Sequence, residues 1–211
     1  MKRFRDNEQG FISVLLLILI PLFIFSISAT MNITNAVTAA SVDLQEAVAV
    51  AAKAGAMQVD TTAQAKGLIR LRSDRAHDQF RKTLAGNLGL NETTLQPVGG
   101  QFAGTPKYWL LVYNGYSDYS PDAMPARLYY FNGTTVTASD LSYGGFPYTF
   151  SVSQSGITVG AGGAYTVEMT TPGVVAVVEI EATRLTGEKQ IIAQRWAAAR
   201  VVCKDGTCKV I

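Results

Sequence analysis

Three stretches of different hydrophobic texture divide the chain. From Phe11 to Ala29 nearly every position is apolar, interrupted by Ser13, Pro21, Ser26 and Ser28, and no charged residue falls between Glu8 and Asp43. These 19 positions, at about 1.5 Å of helical rise each, cover roughly the hydrocarbon thickness of a bilayer. The run therefore predicts a membrane-spanning helix over 11–31 behind a basic cytoplasmic leader, 1–10. Further on, the apolar positions thin to a stripe, with Val37, Ala40, Leu44, Ala47, Ala51 and Ala54 in steps of three and four and Asp43, Glu46 and Lys53 beside it. That spacing is one face of a helix. The spanning helix is expected to continue outward and to present this stripe as a contact face.

A second helix is expected after Asp60 or Thr61, either of which can cap it, with Leu68, Leu71, Phe80, Leu84 and Leu88 as its apolar positions and Gly86 and Gly89 ending it. Its remaining positions include Lys66, Arg70, Arg72, Arg75, Arg81 and Lys82, a basic and solvated surface, and His77 beside Asp78 is placed on that surface. The two helical stretches fill an exported region, 32–90.

After Leu90 the texture changes to short β-prone runs between turn residues, which predicts an antiparallel β-rich domain over 91–211. Expected strands are 108–113, 127–131, 134–138, 148–153, 164–170, 174–183 and 190–203. Asn132-Gly133 predicts a type I′ hairpin, since both positions accept positive φ. The fold class is thus α+β: a long amino-terminal helix, a second helix, and a carboxyl-terminal antiparallel β domain. Strand aromatics around Tyr108 and Tyr129 read as ordinary sheet packing, or else as a surface for carbohydrate or protein.

Cys203 and Cys208 flank Lys204-Asp205-Gly206-Thr207. A two-residue turn at Asp-Gly makes the cysteines cross-strand partners, a non-hydrogen-bonded pair about 4.5 Å apart at Cα, within disulfide range. A disulfide is the expectation, against two reduced thiols or a weak metal clip.

Composition narrows the function classes. With 18 Lys plus Arg against 16 Asp plus Glu, the net charge of +2 supplies no footprint for nucleic acid. One histidine and two cysteines are too few for a structural zinc centre. Gly160-Ala161-Gly162-Gly163 lacks the lysine and helix start of a phosphate loop and reads as a turn. No serine-nucleophile elbow, zinc helix or paired-carboxylate pattern stands in the sequence, so neither enzyme activity, metal, cofactor nor small-molecule substrate is expected.

Gln9-Gly10-Phe11-Ile12-Ser13-Val14, the Leu/Ile run, Pro21, and Leu44-Gln45-Glu46-Ala47 leading into Ala51-Ala52-Lys53-Ala54-Gly55-Ala56 resemble the amino-terminal module of TadE/TadG-like proteins, over roughly the first quarter of the chain. Those are minor pilins or pseudopilins of the tight-adherence (Flp) type IV pilus machinery. The resemblance implies processing between Gly10 and Phe11. Leu15, however, stands where type IV prepilins carry a glutamate five residues past the processed glycine, which fits a membrane-retained assembly factor or minor subunit better than a major filament subunit.

The expectation is a single-pass protein of the cell (inner) membrane, amino terminus inside by the positive-inside bias of Lys2, Arg3 and Arg5 and carboxyl terminus outside. Its partners are membrane lipid, pilus or secretion-system proteins, and further copies of itself in a homo-oligomer or filament. A cleaved secretory signal is the competing reading of the leader. A membrane-anchored adhesin or glycan-binding module is the competing reading of the whole.

Overall fold

A computed structural model describes the backbone of residues 2–98, 102–116, 125–142, 144–182, 191–204 and 207–211; side chains are described for these except 2–14, 32–42, 182, 191, 203, 204 and 207. Residues up to Ala39 fall in one unit, and Ala40–Thr183 with Gln190–Ile211 in a second. Helix α1 is Lys2–Ala56, with Pro21 inside it.

The second unit is an α+β body in which every strand pairing is antiparallel. Strands β1 (Lys107–Tyr113), β2 (Ala126–Phe131), β3 (Val136–Leu141), β7 (Gly173–Ala182), β8 (Ile191–Lys204) and β9 (Thr207–Val210) form one sheet in the order β3-β2-β1-β7-β8-β9. Strands β4 (Tyr148–Ser153), β5 (Gly156–Val159) and β6 (Tyr165–Met169) form a second, ordered β5-β4-β6.

Alternation along the strands places the large sheet between two cores. Tyr108, Leu110 and Val112 of β1 and Val174, Ala176 and Val178 of β7 share one core with Leu44, Ala47, Val48, Ala51 and Ala52 of α1 and with Phe80 and Leu84 of a later helix. The intervening residues Leu111, Tyr113, Val175 and Val177 share the other with Phe150, Val152, Val167 and Met169 of the small sheet. A strand buried on both faces reads as an unbroken apolar run, which is why Val174-Val175-Ala176-Val177-Val178 shows no polar alternation. At the start of β7 the pairing leaves no room for a side chain: a Cβ on Gly173 would stand 2.3 Å from the Ala199 carbonyl oxygen.

The predicted second helix is two. Asp60 does cap a helix, its carboxylate accepting from Thr62 N (2.8 Å) and Ala63 N (3.4 Å), but α2 (Thr61–Gln64) stops after four residues. Gly67 turns the chain at φ 75°, and the segment returns antiparallel to 58–60: Val59 bridges Leu71, Asp60 N donates to Arg70 O, and Arg72 N donates to Gln58 O. The Asn114 side chain then holds the Leu71 backbone at both N–H and C=O (2.8 and 3.0 Å), fixing it as extended. Helix α3 (Ser73–Leu88) starts only after this and ends on Gly89 in the left-handed conformation; Gly86 lies inside it. The break is visible in the spacing, because nothing apolar continues the helical period between Leu71 and Phe80 except Ala76.

Other expectations shift as well. Arg70 is not on a solvated face: it is 4% exposed, donating from one nitrogen to the carbonyls of Asn114 (2.8 Å) and Tyr116 (2.6 Å). Asn132-Gly133 does not form a two-residue turn. The register Phe131↔Val136 leaves 132–135 as the connection, and the Asn132 carboxamide oxygen accepts from Thr134 N and Thr135 N, both at 2.9 Å. An asparagine side chain that substitutes for backbone acceptors favours this longer loop. Strand β5 was not expected, being only four residues, and it follows a two-residue connection at Gln154-Ser155.

Candidate functional site

Helix α1 carries two candidate surfaces. From Leu15 to Met31, twelve large apolar side chains are exposed, Leu17 and Phe25 by three quarters. Leu15 to Ile20 are consecutive, and at 100° per residue six consecutive positions surround the helix axis, so no polar side remains for water. An exposed apolar surface of this extent marks a site that something else covers. Thr30 keeps its hydroxyl satisfied within the helix by donating to Ser26 O at 2.8 Å, the arrangement a polar group needs where solvent is absent. Among the described residues no helix is long and apolar enough to cross a membrane. The described apolar side chains span 15–31; those of Lys2, Arg3, Arg5, Gly10 and Phe11 lie outside the described set.

The second surface is the stripe. Leu44, Ala47 and Ala51 are buried and Ala54 is half-buried, with Val48, Ala52 and Ala56 widening the buried face. Gly55 belongs to it because a Cβ there would press to 3.1 Å from the Ala76 carbonyl of α3. Side chains of Val37 and Ala40 lie outside the described residues. Cys203 and Cys208 are register partners between β8 and β9, with the side chain of Cys203 and all of Asp205 and Gly206 outside the described set. Cys208 is disulfide-bonded.

His77 is the residue the sequence misplaced. It stands on the same face of α3 as Ser73, Ala76, Phe80 and Leu84, and is 7% exposed. Its Nε2 lies 2.7 Å from the Tyr108 hydroxyl and its ring stacks on Tyr129 at 4.2 Å between centroids. Tyr108 and Tyr129 are themselves buried, so these two strand aromatics pack the core. Around the cluster, the Tyr129 hydroxyl donates to Asp74 (3.0 Å), Arg127 contacts the same carboxylate (3.3 Å), and Arg127 grips Asp140 through two nitrogens (2.6 and 3.2 Å). Its place in a helical stripe, i+4 from Ser73 and i−3 from Phe80, was the available signal.

Burial pushes the His77 imidazole down to about 4, helped by the Arg81 charge and opposed by Asp78 and Asp74. The ring is therefore neutral at physiological pH and unsuited to general-base work near neutrality, and its partner Tyr108 is pushed upward by burial. The unfolded chain takes up a proton at His77 as pH falls below about 6.5 while the native one resists until about 4, so stability present above pH 6.5 is lost across that interval. The loss should approach about 3 kcal/mol. Urea midpoints at pH 7, 5 and 4 should fall steeply for the native sequence and less for His77→Phe; equal slopes would show that His77 does not carry the effect.

Among the described residues no cluster of His, Cys, Asp or Glu could hold a metal ion. No family model, no curated protein and no solved structure matches this chain.

Proposed function

We propose that this chain is a single-pass, membrane-anchored structural protein that works by protein–protein contact in pilus assembly or secretion, as a TadE/TadG-like minor pilin or assembly factor. The observation that carries the reading is the exposed, all-round apolar segment from Leu15 to Met31, embedded in a sequence without charge from Glu8 to Asp43. Residues 11–31 span the inner membrane, the leader 1–10 with Lys2, Arg3 and Arg5 stays in the cytoplasm, and the α+β body lies outside. A buried histidine held neutral at physiological pH and hydrogen-bonded to a core tyrosine supports a structural role over a catalytic one.

In this reading the stripe of α1 is divided. Its later half, from Leu44, is covered by the body's own sheet and α3. The earlier half, Val37 and Ala40, meets another subunit, where small side chains let helices approach closely. Ala40→Glu is expected to abolish recovery of partner subunits with the affinity-purified protein while the body keeps its resistance to protease. Undiminished recovery, or a body that becomes protease-sensitive, would reject the division.

A further inference from the structure

Between the small sheet and β8 lies an open groove of about 620 Å³, lined by Gln45, Gln154, Tyr165, Gln194 and Trp196 among others. Its volume falls in the range of small-ligand sites. The lining combines three features. Tyr165 is 56% exposed and its ring stands 5.5 Å from that of the half-buried Trp196, tilted by 36°, which sets one exposed aromatic ring at the groove against a second that the core partly covers. Two glutamine amides are held in place: Gln45 donates through Nε2 to Trp196 O (3.2 Å) and Gln194 through Nε2 to Gln154 O (3.0 Å). A carboxamide whose nitrogen is fixed on a carbonyl keeps its oxygen as an acceptor. Among the described residues that line the groove there is no carboxylate, and Arg195, the one cation among them, donates to Gln194 O at 2.7 Å.

We propose that this groove binds a neutral saccharide, the C–H face of one sugar ring lying on Tyr165 and Trp196 and its hydroxyls donating to the Oε1 atoms of Gln45 and Gln194. Fixed acceptors beside the exposed Tyr165 ring suit a ligand that is apolar on its flat face and rich in O–H donors at its edge. An added peptide strand suits the place less, because Gln45 already occupies the Trp196 carbonyl on β8, where a strand would have to pair. The inference is independent of the proposed membrane role: the groove lies wholly in the α+β body.

The test uses the full chain in lauryldimethylamine oxide micelles, a detergent without a sugar headgroup, titrated with cellohexaose, maltohexaose and chitohexaose while tryptophan emission is followed. At least one should give a saturable change with a Kd of roughly 0.1–5 mM. Tyr165→Ser should weaken it about tenfold, whereas Tyr165→Phe, which keeps the ring, should stay within about twofold. Circular dichroism should be unchanged in both, since the side chain is exposed. Absence of saturation with all three sugars at about 10 mM would overturn the proposal. So would equal affinity in Tyr165→Ser, or saturation by an extended Thr-Val hexapeptide with no response to sugar.

Discussion

Glutamate in place of Ala51 should strongly destabilise the α+β body. Ala51 has no exposed surface and sits among Leu44, Ala47, Val48 and Phe80 in the core beneath the large sheet. The new carboxylate has to be protonated, to stay charged without a partner, or to force the helix off the sheet, and its larger volume strains the packing in every case. Removing a buried charge from its partner costs about 3–5 kcal/mol, and an unpaired one introduced here should cost as much, against a total stability of about 5–15 kcal/mol. Melting should fall by roughly 6–20 °C in a domain of this size, or the cooperative transition should disappear. Val50→Glu, one residue earlier on the exposed side of α1, should change melting by only a few degrees. Similar melting for the two variants would mean that the sheet does not cover this face.

The second large effect concerns anchoring. Arginines at both Leu19 and Phe23 should release the protein from membranes. Each arginine near the middle of a spanning helix costs about 2.5–3.5 kcal/mol on insertion scales, so the pair opposes insertion by about 5–7 kcal/mol, more than a thousandfold. The native chain should stay in the membrane pellet through alkaline carbonate extraction and the double variant should move to the supernatant. Both side chains are exposed and neither belongs to a core of the body, so the body's melting should not follow. A native chain released by carbonate, or a double variant retained, would remove the anchor.

What the sequence made legible was local. Tyr148–Ser153 matches its expected strand at both ends, and β1, β2, β7 and β8 lie within a residue of theirs, because alternating or unbroken apolar runs bounded by glycine and polar clusters specify strands without help from distant parts of the chain. Asp60 was found as a cap for the same reason. Features that depend on a distant partner were not legible. The extended stretch at Leu71 is set by Asn114, 43 residues away, and Arg70 is buried by carbonyls that the same turn supplies. His77 needed Tyr108 and Tyr129 to become a core residue, and nothing beside it in sequence announces them. The groove was invisible for a further reason: Tyr165 and Trp196 belong to different sheets, and only the overlap of those sheets brings the rings together.

The position of β1 has a consequence for the growing chain. Its seven residues are flanked by β2, which follows closely, and by β7, whose partners lie 60 residues further at Tyr113↔Gly173 and 72 further at Lys107↔Glu179. At synthesis rates of about 5–20 residues per second, β1 waits roughly 3–14 s with one edge unpaired and Trp109, Leu110, Leu111 and Val112 uncovered. During that interval the nascent polypeptide displays an adhesive strand, the kind of segment that holdase chaperones bind and that aggregates when they are scarce.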